Sequence, residues 1–185
     1  MSEFDNNILK LIECHEKEKK YNEMVECYEL LIRRGNIEAI DSLATHYASV
    51  EDFENMKKYF ELSIKNGSKY AMYMLGQYYQ DEKKNYKEMK KYYLMLIAQG
   101  DIIAMNALAS YYGKIEKNYN EMKKYYLMSI EKTGCVYALH EMGLHYEMVE
   151  KDYGKMKQYY LAAIERGHSD KDKMLQAINE LGKLK

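Results

Sequence analysis

Apolar residues recur along this chain at a helical spacing. Ala71, Met74, Leu75, Tyr78 and Tyr79 fall at i, i+3, i+4, i+7 and i+8, which places all five on one face of a helix. Met89, Tyr92, Tyr93, Leu96 and Ile97 repeat that spacing shortly afterwards. Two amphipathic stretches in close succession predict a helical hairpin.

The hairpin itself then recurs. The octapeptide EMKKYYLM stands at Glu88–Met95 and again at Glu121–Met128, 33 positions on. The aromatic residue just ahead of it is Tyr21, Phe53, Tyr86, Tyr119 and Tyr153, in steps of 32, 33, 33 and 34. Gly35, Gly67, Gly100, Gly134 and Gly167 keep the same clock, as do Ile32, Ile64, Ile97, Ile130 and Ile164, and the alanines Ala39, Ala71, Ala104 and Ala138. A period of this length predicts stacked supersecondary units. One hairpin cannot bury its apolar stripe alone, so the octapeptide reads as a docking surface repeated for each neighbour.

Helix ends are signalled as well. Each periodic glycine can close a helix in the left-handed conformation, with Asn36, Ser68 or Asp101 next in line as an N-cap. Asn85 and Asn118 precede second helices with Glu88 and Glu121 three positions on, the spacing of a capping box. Cys135 takes the cap position at one junction, which is expected to be the least well defined. Ala44, Gly76, Ala109 and Gly143 follow the core Leu or Met of each first helix and would let the paired helix come close. These features predict a single repeat domain over residues 1–185, with repeats at 1–36, 37–68, 69–101, 102–135 and 136–168. The first helix is expected in Met1–Lys17, and a polar capping helix in 169–185, where Lys171 and Gln176 replace the patterned Ala and Gly.

Composition narrows the function. The chain has 21 Tyr and 14 Met but no Trp or Pro, so amphipathic rings and flexible thioethers must fill its core. Its 28 basic and 29 acidic residues leave a formal charge of -1, against a main role in neutralising phosphates. Cys14, Cys27 and Cys135 lack metal-ligand spacing and read as reduced thiols. The start carries no secretion signal, and no apolar run approaches a membrane span. The expectation is therefore a cytoplasmic protein, not secreted and without a membrane partner, in which the Asn66-Gly67-Ser68 sequon is idle.

Little points to chemistry. His140 and His145 in HEMGLH are separated by five residues, about 140° around a helix, where a zinc pair needs four. One histidine is expected to face the groove and the other to pack inside. His15, His46 and His168 stand singly. No catalytic residue, cofactor or metal site is expected, and the chain does not read as an enzyme. Lys57-Lys58, Lys90-Lys91, Lys123-Lys124 and Lys157 recur on second helices, but Glu54, Glu88 and Glu121 intersperse them. Such a ladder reads first as a solvated face and second as a binder of nucleic acid or an anionic surface.

The motif Ala104-x-x-x-Leu108-Ala109-x-x-Tyr112, with Met122-x-x-Tyr125-Tyr126-x-x-Ser129-Ile130-x-x-x-Gly134, resembles the Sel-one-like branch of the tetratricopeptide superfamily. Tyr159–Gly167 is the best local match, and the likeness runs from about Asn7 to Gly167. The G-x-G-V loop of Sel-one-like units is absent, and the family Trp is Tyr. The Lys, Asn, Ile and Tyr bias also looks like repeat proteins of mimivirus-type giant viruses, which would place the chain in host cytoplasm. The resemblance implies an all-α, right-handed superhelix, or solenoid, of five helix-turn-helix repeats with a C-terminal capping helix. It also implies a concave groove lined by first helices, at Asp41, Thr45, Tyr73, Gln77, Asn106, Ser110, His140 and Leu144. These positions vary while the core does not. The carboxylate clamp of chaperone-tail grooves is unmatched, since Asp41, Tyr73 and Asn106 stand in place of its Lys, Arg and Asn. The expected partner is a protein or peptide held by Tyr rings and amide hydrogen bonds, on a scaffold or adaptor.

Overall fold

The computed structural model describes residues 2–182, all of whose regular elements are helical. In order they are α1 (Glu3–Lys17), α2 (Tyr21–Arg33), α3 (Ile37–Ser49), α4 (Phe53–Lys65), α5 (Lys69–Asp81), α6 (Tyr86–Ala98), α7 (Ile102–Tyr111), α8 (Tyr119–Thr133), α9 (Val136–His145), α10 (Tyr153–Glu165) and α11 (Lys171–Gly182). Met1 and the last three positions of the expected capping helix lie outside the described residues. The chain forms two compact units, Met1–Leu96 and Ile97–Lys185. The first holds the hairpins α1/α2, α3/α4 and α5/α6; the second holds α7/α8, α9/α10 and then α11.

Each unit repeats one packing scheme. Leu43 and Leu75 in the first unit, and Leu108 and Met142 in the second, are fully buried at equivalent places on first helices. Each such side chain contributes about 1.5–3 kcal/mol of burial. Within both copies of the octapeptide the first Met and both Tyr are buried, while its Leu, Leu94 or Leu127, is exposed. Identical letters therefore meet identical surroundings.

Two rings from each second helix do most of the filling. The first stacks on a tyrosine at the end of the paired first helix: Tyr59 on Tyr47, Tyr92 on Tyr79, Tyr125 on Tyr112 and Tyr159 on Tyr146, with centroids 5.5–5.9 Å apart and planes within 13°. Such pairs add about 0.5–1.5 kcal/mol each beyond their buried area. The second ring, Phe60, Tyr93, Tyr126 or Tyr160, is at most 2% exposed. Tyr93 and Tyr160 lie against Gly76 and Gly143, the helical glycines marked for close approach.

The junctions between hairpins close as their sequence predicts. At Gly67 φ is +87°, and Ser68 N–H donates back to the Ser63 carbonyl at 3.1 Å, a Schellman closure. Asn36, Ser68 and Asp101 then cap the next helix by accepting from the amides of Ala39, Ala71 and Ala104. Cys135 makes no side-chain cap bond at the start of α9. Asn85 and Asn118 accept from the amides of Glu88 and Glu121, each at 3.3 Å. The two glutamates turn outward to Lys91 and Lys124, 3.3 and 3.0 Å away, so the expected box has one arm and an ion pair.

The turns inside the hairpins hold a feature that the letters do not show. Lys19, Glu51, Lys84, Lys117 and Lys151 all adopt positive φ of 47–59°, in the place where glycine is the usual choice. The span from the stacking tyrosine to the next cap is Tyr47 to Asp52 in one hairpin but Tyr112 to Asn118 and Tyr146 to Asp152 in later ones. The extra residue is absorbed by π-helical turns at Tyr112–Glu116 and Tyr146–Glu150. Part of the drift in the repeat period is thus a turn wound wider.

Candidate partner-binding face and its junction contacts

In the first unit, α3 borders a recess of about 490 Å³. Glu16, Tyr28, Asp41, Thr45, His46 and Tyr70 line it. Thr45 is exposed; its hydroxyl donates to the Asp41 carbonyl at 2.8 Å and lies 3.2 Å from the Tyr70 hydroxyl. Burial holds His46 below its ordinary pKa, so it enters the recess as a neutral imidazole near pH 7. Tyr73 and Gln77, further along on α5, are half-buried, and the Tyr73 ring lies 6.1 Å from that of Tyr93.

Asp41 faces two ways. It lines the recess, yet its carboxylate accepts from the Ser63 hydroxyl at 2.5 Å and the Ser68 hydroxyl at 2.7 Å. Ser63 is fully buried, so this bond also satisfies an otherwise costly donor. The aspartate links α3 to the end of α4 and the start of α5.

The second unit repeats that geometry with different chemistry. Asn106 Nδ2 donates to Cys135 Sγ at 3.3 Å, and the His140 ring stacks on His168 with centroids 4.3 Å apart. Positions 41, 106 and 140 share one place in the period, and 68, 135 and 168 share another. A variable first-helix residue therefore meets a variable junction residue: carboxylate with hydroxyl, amide with thiol, imidazole with imidazole. Ser110 and Leu144 are half-buried on the same faces of α7 and α9.

His168 is not the isolated residue that its spacing indicates. One donor atom from each of His140, His168 and Asp170 lies within 4.8 Å of the others. Residues 140 and 168 are too far apart in sequence for a local motif, and only the equivalence with the 41 and 68 pair could have exposed their meeting. His145 is packed inside, 5% exposed, with its Nε2 3.0 Å from Glu150 and its ring against Tyr119 and Tyr146. The pair in HEMGLH thus divides into one half-buried and one core histidine.

Part of the lysine ladder also contacts the protein itself. Lys58, Lys91 and Lys124 lie over the rings of Tyr59, Tyr92 and Tyr125 at 5.2, 5.0 and 4.9 Å. Lys123 joins His145 on the Glu150 carboxylate, and its hydrogen bond and charge hold that carboxyl below the usual range. No helix among the described residues is long and apolar enough to cross a membrane.

No family model and no curated protein matches the chain. Solved structures do match it, and like the hairpin scheme they show a helical-repeat fold that resembles those of Sel1-like and tetratricopeptide-like proteins. A Sel1 repeat protein from Oxalobacter formigenes is 20% identical over 97% of this chain and 78% of its own, with a TM-score of 0.61. A protective antigen of uropathogenic Escherichia coli with an SLR fold is 22% identical, with a TM-score of 0.60; the match covers 78% of this chain and 34% of the antigen, about a third of its length. The MamA protein is 19% identical over 89% of this chain and 92% of its own, with a TM-score of 0.57. These likenesses concern the fold, and they lend no support to a giant-virus source.

Proposed function

We propose that the chain is a non-catalytic, cytoplasmic scaffold or adaptor. Its five hairpins would act as one repeat domain that holds a peptide or protein partner in a groove formed by first helices. The observation that carries this reading is the recess of the first unit, where the expected residues Asp41 and Thr45 lie together with Tyr28 and Tyr70. Its mixture of phenol rings, hydroxyls and carboxylates suits an extended segment held by ring contacts and backbone hydrogen bonds. Tyr73 and Gln77 continue that surface within the first unit in the proposal, Asn106, Ser110, His140 and Leu144 would form the corresponding face of the second, and helical-repeat proteins in general serve protein–protein interaction.

The alternative through the lysine ladder is weakened by the tyrosine rings under Lys58, Lys91 and Lys124 and by the glutamates paired with Lys91 and Lys124. A photo-crosslinking residue tests the choice. Placed at Thr45 it should capture a partner that the same residue at Lys58 does not, with capture insensitive to salt. Higher yield from Lys58, falling steeply with ionic strength, would replace this reading with the anionic one.

A further inference from the structure

We propose that His140, His168 and Asp170 form a binding site for a borderline divalent transition-metal ion, zinc first among them, which fastens α11 to α9. His140 lies on α9, while His168 and Asp170 lie in the short link between α10 and α11. Their donor atoms already lie within 4.8 Å of one another, and all three residues are half-buried. Two imidazoles and a carboxylate suit zinc, copper or nickel and do not suit calcium or magnesium, which take oxygen donors. Three protein donors leave a tetrahedral ion one position for water or a partner's side chain.

Binding would first turn the His140 and His168 rings out of their stack, because the in-plane lone pairs of near-parallel rings 4.3 Å apart do not converge on one ion, and neighbouring groups set what else it would displace. The Asp170 amide donates to His168 Nδ1 at 3.0 Å, and Lys173 Nζ lies 3.3 Å from the Asp170 carboxylate. Whichever nitrogen of His168 ligates, the amide bond is given up. A metal on Nδ1 takes that lone pair, and a metal on Nε2 puts the ring proton on Nδ1. Lys173 must also swing away, which its largely exposed side chain allows. The Glu141 carboxylate lies 4.0 Å from His140 Nδ1 and would have to close on it to accept its N–H once Nε2 ligates.

The equivalent junctions explain why only this one is proposed. Asp41 with Ser68 offers one carboxylate already bonded to two hydroxyls, and Asn106 with Cys135 offers one thiol and an amide. Neither collects three ligands.

The test titrates zinc chloride, and separately Co²⁺, into the tag-free full-length chain in a buffer without chelating components. One equivalent should bind. The melting temperature should rise with free zinc as mass action requires, and Co²⁺ should develop the visible absorption of a tetrahedral site. His140→Gln and Asp170→Asn should each weaken binding by at least about tenfold, while His46→Gln in the first unit should not. Far-UV circular dichroism of each variant confirms that it is folded. In histidine-selective nitrogen NMR the His168 resonances should change tautomer or shift on loading, a readout that survives if a variant fails to fold. No binding at micromolar zinc, or unchanged affinity in folded His140→Gln, would overturn the assignment. Neither result bears on the recess at Thr45, which lies in the other unit.

Discussion

The ring of Tyr93 lies directly on the backbone of Gly76, so that a Cβ added there would stand 2.5 Å from ring atom Cε1. Gly76 is helical and fully buried, and Tyr93 is 1% exposed, so neither side has room to withdraw. Gly76→Val should therefore cost about 1–3 kcal/mol through overpacking, less the small gain in helix propensity. Thermal melts of Gly76→Val, and of Gly143→Val in the other unit, check this. A neutral result at both would mean that the rings can be repositioned cheaply.

Alkali should unfold the chain at a phenol-controlled threshold. Burial raises Tyr92 to about 12 and pushes Tyr93, Tyr126 and Tyr160 higher still, against an ordinary value of about 10. The native state therefore holds protons that the unfolded chain releases above pH 10. That contribution is fully present below pH 10 and is lost as pH rises through about 12. Ultraviolet titration should show the buried tyrosines ionising together with loss of helical circular dichroism. Their ionisation near 10 with the helices intact would contradict it.

The non-glycine turns offer a route to stabilisation. Lys117 and Lys151 are exposed and left-handed, at φ +55° and +54°. Lys151→Gly should add about 0.5–1 kcal/mol by removing Cβ strain, while Lys151→Ala should add nothing. Chemical denaturation at pH 7 distinguishes the two.

Asp41 gives a way to separate stability from recognition. Asp41→Ala strands the buried Ser63 hydroxyl and should cost about 1–3 kcal/mol, with a coupling to Ser68→Ala near or above 1 kcal/mol in a double-mutant cycle. Thr45→Ala, at an exposed position, should stay within about 0.5 kcal/mol while reducing partner capture.

Much of this architecture could be read in the letters because repetition samples each rule several times. The glycines, the caps at Asn36, Ser68 and Asp101, and the aromatic pairs each recur in register. Periodicity could not show where a polar side chain turns. Glu88 and Glu121 have the spacing of a capping box but choose lysines one turn on, because the ammonium groups are close and exposed. The left-handed lysines carried no signal, since a turn permitted by its surroundings leaves no mark in residue type. Among the candidate site residues, variation alone was legible. That variation at 41, 106 and 140 answers variation at 68, 135 and 168 shows only in the folded chain.

Copies of one docking surface carry a hazard of their own, because any hairpin can settle against the wrong neighbour while the chain folds. The private pairs at three of the joints, Asp41 with Ser68, Asn106 with Cys135 and His140 with His168, act like differently cut keys. A slipped arrangement would leave a carboxylate or an imidazole facing a stranger, so the order of assembly is written into the joints, while the interchangeable rings supply cohesion.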